Sequence, residues 1–317
     1  MNTLLAESEK CDLCPRNCRV RRSEGELGYC RSTADFNIAA ICLHRGEEPV
    51  LSGKDGICNV FFTHCNLQCV FCQNYQISRN ETNRNGWRRK PQEVVRKIEE
   101  ILTGGAKTVG FVSPSHCVPQ MRTIIHLLKE RGNRPVFVMN TNAYDKAGTI
   151  RGLADDIDVY LPDFKYMVRE LADSFSQAPD YPEVAREALR EMFRQKGAEI
   201  EIGPDGIIRD GLIIRHLVLP GQIENSISCL RFIAEELSPC VHVSLMAQYH
   251  PTPPVADHPL LGRAVTREEY EEVRKELERL GFEKGWLQEP ESAGQYLPDF
   301  NRPEIFSQPD FDPPPES

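Results

Sequence analysis

From residue 57 to about 289 the chain alternates short apolar runs with amphipathic stretches, and that alternation commits it to strands that are each followed by a helix. The apolar runs lie at 58–63, 108–112, 136–139, 159–161, 212–219 and 241–246, with a weaker one at 282–288. Between them, segments 91–102, 118–129, 182–195, 224–237 and 267–280 carry helical periodicity. In the first, Pro91 opens the helix, Val94, Val95, Ile98, Ile101 and Leu102 share a stripe, and Gly104 with Gly105 ends it. Six or seven βα units predict an α/β fold, a partial (β/α)6-type barrel; a doubly wound sheet is the alternative, since spacing alone does not order strands. Segment 198–215, with Pro204, Asp205 and Gly206 between two β-like runs, predicts a hairpin set before a barrel strand.

Three zones follow: a Cys-rich, loop-dominated segment at 1–56 that metal could hold together, the barrel at 57–289, and a Pro-rich tail at 290–317, expected to be extended over the surface or without order. Hydrophobic residues make up 40% and charged residues 27%, enough to bury a core and too apolar for a disordered chain. The absence of an apolar run of about 18 residues and of a basic-then-apolar start predicts a cytoplasmic protein without a membrane partner. The net charge of −9 disfavours nucleic acid, whose binding needs Lys and Arg to displace counterions. The two dense basic runs, 19–22 and 88–90, read as solvated faces.

Nine of the twelve cysteines fall within the first 72 residues, and thiols at two- and three-residue spacings in a reducing compartment point to metal or cluster ligation before disulfides. Directly after the apolar run Val60, Phe61, Phe62 comes Cys65-Asn66-Leu67-Gln68-Cys69-Val70-Phe71-Cys72-Gln73-Asn74. A four-iron, four-sulfide cluster normally takes four thiolates. Three leave one iron open to chelate a small molecule through an amine and a carboxylate. A zinc site completed by His64 or Cys58 is the competing reading. Separately, Cys11, Cys14, Cys18 and Cys30 offer four thiolates within 20 residues, which suits a closed zinc site, a second four-Cys cluster, or reduced thiols packed as small hydrophobes. Cys42, Cys58, Cys117, Cys229 and Cys240 are solitary and read as buried free thiols.

CxxxCxxC at the end of a first barrel strand, with an aromatic before the third Cys, resembles the radical S-adenosylmethionine (SAM) superfamily. The resemblance extends to the pyruvate formate-lyase activating enzyme-like proteins, in a branch with a Cys-rich N-terminus. It is carried by CxLCPRxC at 11–18, GYC at 28–30, FCQN at 71–74, LPDFKY at 161–166, RHLVLPG at 215–221 and SLMAQYHP at 244–251. The resemblance implies a [4Fe-4S] cluster on Cys65, Cys69 and Cys72 as the catalytic centre, with SAM on its open iron and Phe71 beside the adenine. It also implies that Asp163 and Lys165 contact SAM, and that Tyr249-His250 brings His250 to the cofactor.

Asn140, Thr141 and Asn142 suit the ribose hydroxyls or a helix cap. Where the superfamily carries a glycine-rich GGE-like turn, this chain has Phe111-Val112-Ser113-Pro114-Ser115-His116, leaving Ser113 or Ser115 as the acceptor for the methionyl amine. Arg215 is assigned either to a carboxylate of SAM or substrate or to an ion pair, and His216 to the opposite, structural face.

The function implied is reductive cleavage of SAM to a 5′-deoxyadenosyl radical that abstracts hydrogen from a protein or other substrate, with glycyl radical enzyme activation as one form. A reductant such as flavodoxin or ferredoxin follows from that chemistry. The competing class is a non-enzymatic iron–sulfur electron carrier or a zinc-clamped binding protein.

Overall fold

Apolar side chains on both faces of a strand leave it no side to present to water, so each run becomes a strand of a covered, parallel sheet. The computed structural model describes residues 10–81, 87–288 and 297–306. Strands β1 (Phe36–His44), β2 (Ile57–Phe62), β3 (Arg88–Arg89), β4 (Thr108–Val112), β5 (Val136–Thr141), β6 (Val159–Pro162), β7 (Glu201–Ile202), β8 (Ile208–Leu217), β9 (His242–Met246) and β10 (Gly285–Leu287) form one sheet. Its parallel part runs β2, β4, β5, β6, β8, β9, β10, so spatial neighbours follow chain order. Such an order, without reversal, gives the partial barrel and sets aside the doubly wound sheet. β1 adds antiparallel to β2 and carries β3 on its far side, so β3 and β10 are separate edges and the barrel stays open. The expected hairpin is present: β7 pairs antiparallel with the start of β8.

Helices Pro91–Thr103, Val118–Glu130, Tyr181–Lys196 and Arg267–Arg279 follow the periodicity closely. The last begins with a capping box in which the Thr266 hydroxyl accepts from the Glu269 amide, 3.2 Å away, and the Glu269 carboxylate takes the Thr266 amide. Along each strand, alternate residues face the helices or the barrel interior. Val60, Phe111, Met139, Tyr160, Ile214 and Leu245 pack beneath the helices. Ile57, Val138, Val159, Leu161 and Ile213 fill the interior instead. Gly110 matters on that inner face, where a Cβ would stand 2.2 Å from Asn59 Oδ1.

The 1–56 segment differs from the loop-dominated expectation. Its FNIAAICLH stretch is β1, an apolar run read through because it lies among cysteines and glycines. The short helix Pro49–Ser52 then inserts Leu51 into the interior cluster, and Thr108 Oγ1 donates to the Leu51 carbonyl at 2.9 Å. The Pro-rich tail is likewise engaged where it is described. Phe300 meets the Phe61 ring at 5.2 Å, Phe306 meets His44 at 4.0 Å, and Gln76 Nε2 donates to Asp299. Among the described residues no helix is long and apolar enough to cross a membrane.

Leu51 is fully buried on a four-residue helix, so its contacts and not helix propensity hold that insertion. Leu51→Ala is expected to lower unfolding free energy by about 2–5 kcal/mol. Exposed Leu260→Ala should stay within about 0.5 kcal/mol. Urea unfolding followed by circular dichroism distinguishes the two.

Candidate active site

β2 ends at Phe62, and the loop that follows brings the three spaced cysteines to the C-terminal ends of the strands, where barrel sites are built. Backbone contacts pin it: the Val70 amide donates to the Phe175 carbonyl at 2.8 Å, and the Gln68 amide to Ser176 at 3.4 Å. Asn80 accepts from the Cys65 amide and returns its own amide to the Cys65 carbonyl. Asn66 Nδ2 reaches the Tyr144 carbonyl at 2.7 Å. His64 before the loop adopts the left-handed conformation, φ 64°, which turns the chain out of the strand.

Every sulfur in the loop has a donor. Cys65 Sγ faces the Leu67 amide and Asn142 Nδ2, each at 3.4 Å. Ser176 Oγ donates to Cys69 Sγ at 3.0 Å, and Ser78 Oγ to Cys72 Sγ at 3.3 Å. Donors aimed at sulfur favour the thiolate over the thiol. Burial works the other way: it pushes Cys65 far up and Cys69 to about 11, the latter against the pull of the Lys165 ammonium. A metal centre therefore has to displace protons from this loop as it binds.

Among the described residues no three His, Cys, Asp or Glu side chains form a ready cage for one ion. A cubane makes a different demand, since each thiolate takes its own iron. Cys58, offered above as a zinc ligand, lies on the helix-facing side of β2, fully buried. The donor set and the chemistry of three thiolates fit the iron–sulfur group.

Beside the loop, Phe71 stands edge-on to Phe175 at 6.4 Å and to Tyr249 at 6.0 Å. Tyr249 is held by its hydroxyl on the Leu261 carbonyl at 2.6 Å, while His250 is exposed. Asp163 and Lys165 are paired with each other at 2.9 Å and not left open. Arg215 completes the group: Nε donates to Asp163 at 2.7 Å, Nη1 to Glu47 at 3.0 Å and Nη2 to Asn140 Oδ1 at 2.8 Å. Burial would raise the Asp163 pKa, but Arg215 and Lys165 outweigh it and hold the carboxyl below its usual range. The ion-pair alternative for Arg215 is thus the one observed.

Asn142 braces Cys65 and Asn66, so its side chain is committed to the loop. Ser115 is fully buried and bonded to Thr141, which donates to Asp145, so it is not presented to a ligand amine. Ser113 sits half-buried after β4 at φ 49°, its amide on the Asn140 carbonyl. His216 faces away from Arg215, its Nδ1–H on the Phe164 carbonyl at 2.7 Å. Sequence reading missed Glu47, Asn66, Asn80, Ser78 and Ser176. Each acts through a contact distant in sequence or a turn that residue type alone does not mark. Two further readings are corrected. Arg22, taken as solvated, is buried, and Cys240, taken as buried, is exposed.

Residues 59–227, just over half of the chain, match the Radical SAM superfamily. An uncharacterized protein of Methanocaldococcus jannaschii is 31% identical over 277 residues, covering 85% of this chain and 74% of that protein. Among solved structures, anSMEcpe with bound AdoMet aligns at TM-score 0.49 and 11% identity, over 71% of this chain and 61% of that one. Streptococcus suis SuiB bound to S-adenosylmethionine aligns at 0.48 and 15%, over 72% of this chain and 48% of that one. The chain thus spans less than two thirds of either solved structure.

Two predictions follow from the buried charges. Arg215→Met leaves Glu47 and Asp163 without their cation and should cost about 3–5 kcal/mol in urea unfolding. Lys97→Met, in an exposed pair with Glu100, should cost under about 1 kcal/mol. His216 is fully buried and pushed down to about 4 by that burial. Because its folded pKa lies below the unfolded value, its contribution is complete above about pH 6.5 and lost as pH falls toward 4. Between pH 7 and 5 the loss of unfolding free energy should therefore be about 2 kcal/mol smaller in His216→Gln than in the parent protein.

Proposed function

This chain belongs to the radical SAM superfamily, and from that premise we propose that Cys65, Cys69 and Cys72 hold a [4Fe-4S] cluster whose open iron takes SAM. The observation that carries the proposal is the loop itself: three sulfurs at the C-terminal end of β2, each met by a hydrogen-bond donor. When bound there, such a cluster would supply one electron from the external reductant for reductive cleavage of the sulfonium C–S bond of SAM, the chemistry that would make hydrogen abstraction from a substrate possible.

This chain's residues supply placement and polarity. Asn142 and the Leu67 amide stabilise charge on Cys65, as Ser176 and Ser78 do on Cys69 and Cys72. Phe71, Tyr249 and Phe175 offer an apolar wall on which a purine can pack. Asp163 and Lys165, with Asn140, bring paired charges to the strand ends, where a zwitterion can exchange with one member of each pair. Ser113 is the remaining hydroxyl at the β4 end for an ammonium. His250, exposed after Tyr249, is placed to meet a ligand only from the solvent side.

The reaction proposed is hydrogen abstraction from a protein or other substrate at the barrel mouth, driven by an external one-electron reductant of the flavodoxin or ferredoxin class. The narrower reading, activation of a glycyl radical enzyme, rests on the sequence resemblance alone.

The anaerobically reconstituted protein, given dithionite and SAM, should release 5′-deoxyadenosine, and Cys65→Ala, Cys69→Ala and Cys72→Ala should each abolish it. Release that persists in all three variants, or none from a parent protein that holds its iron, overturns the assignment.

A further inference from the structure

Residues 10–35 form a cap in which, among the described residues, the buried apolar side chains are Leu13 and the cysteines, and none of the three hydrophobic clusters contains a residue from this stretch. A segment this small needs another source of cohesion. At its centre Cys11, Cys14, Cys18 and Cys30 line one cavity, all four as free thiols.

The chain around them is shaped for sulfur. The Tyr29 amide donates to Cys18 Sγ at 3.2 Å. Asn17, Arg19 and Arg31 adopt positive φ to make these turns, at 47°, 55° and 54°. Gly28 packs so closely on Cys18 that a Cβ would lie 2.7 Å from Cys18 Cβ and 2.8 Å from its sulfur. Backbone strain and amide donors of this kind persist where something over-determines them.

Two cations face the same cavity. Arg22 is buried, and its three nitrogens are held by the carbonyls of Ser32, Thr33 and His116 at 3.0, 2.7 and 2.6 Å. Arg16 lies over the Tyr29 ring at 3.8 Å with Nε on the Asn66 carbonyl, and its buried Nη2 has no hydrogen-bond partner among the described residues. A buried, unpartnered guanidinium nitrogen at a four-sulfur cavity calls for an anionic acceptor.

We propose that Cys11, Cys14, Cys18 and Cys30 bind a second [4Fe-4S] cluster, closed by four thiolates and therefore without an open iron. Binding releases four protons from the thiols. The four thiolates and a cluster core of charge 2+ leave a net charge of 2−, which Arg16 and Arg22 balance. The cluster's sulfides and thiolates give Arg16 Nη2 the acceptor it lacks. A single zinc ion would also carry four thiolates at the same net charge of 2−, so the iron and sulfide count below is what separates the two.

The test is metal and sulfide analysis of the anaerobically reconstituted full chain. The parent protein should hold about eight iron and eight sulfide, and both Cys11→Ser/Cys14→Ser and Cys65→Ala/Cys69→Ala/Cys72→Ala should hold about four of each. The electron paramagnetic resonance signal left in the first variant should shift when SAM is added, and that left in the second should not. About four iron with one zinc in the parent, or no iron in the Cys65/Cys69/Cys72 variant, overturns the second cluster. Should the first variant fail to fold, the second carries the test unaided. A signal in the first variant indifferent to SAM counts against the assignment at Cys65, Cys69 and Cys72, while the iron count still decides the second site.

Discussion

The guanidinium of Arg215 is only 12% exposed inside the barrel, and its charge is tolerable only because three separated parts of the chain converge on it. Glu47 arrives from the segment before the short Pro49–Ser52 helix, Asn140 from β5, and Asp163 from the end of β6. Lys165 neutralises the remaining Asp163 oxygen. An unpaired charge in this position would shift its pKa or unfold the region, so the interior is consistent only when all of these partners are present. The network therefore ties the N-terminal segment to the strand ends that carry the site. It also holds Asp163 and Lys165 at the mouth in charged form, ready to exchange partners with a polar ligand.

The cysteine loop depends on the same principle in a weaker form. Its three sulfurs meet donors supplied by β5's continuation at Asn142, by the end of helix Arg169–Ser176 and by the turn at Ser78. No single element positions all three. That distribution makes the loop's geometry a property of the assembled barrel, so a change in barrel packing reaches the sulfurs without touching a cysteine.

The strands and main helices were legible because burial on two faces leaves a strong periodic signal, as at Thr108–Val112, read without error at either end. β1 was lost because its apolar run lies beside cysteines that dominated the reading of the segment. In the tail, Pro and Asp content says nothing of Phe300 and Phe306, whose rings pack on Phe61 and His44. In the site, Cys65, Cys69 and Cys72 stood out by spacing, which is local. Glu47, Asn80 and Ser176 did not, because their roles exist only through contacts made by the fold. The side chains of Ser115 and Asn142 bond to Thr141, Cys65 and Asn66, an allocation that residue type does not disclose.

The two cysteine-rich regions are joined by direct contacts and do not merely share a sequence neighbourhood. Arg16 bonds to the Asn66 carbonyl, and Asn80 bonds to the carbonyls of both Tyr29 and Cys65. Arg22 reaches His116, whose ring in turn meets the Thr63 carbonyl just before the loop. Any group that orders the cap therefore stiffens the backbone that presents Cys65. Conversely, a disordered cap would leave the Asn66 carbonyl without its guanidinium donor and the Cys65 turn with fewer restraints. Since no hydrophobic cluster among the described residues includes the cap, a metal centre at Cys11, Cys14, Cys18 and Cys30, as proposed, would also order the turn that presents Cys65.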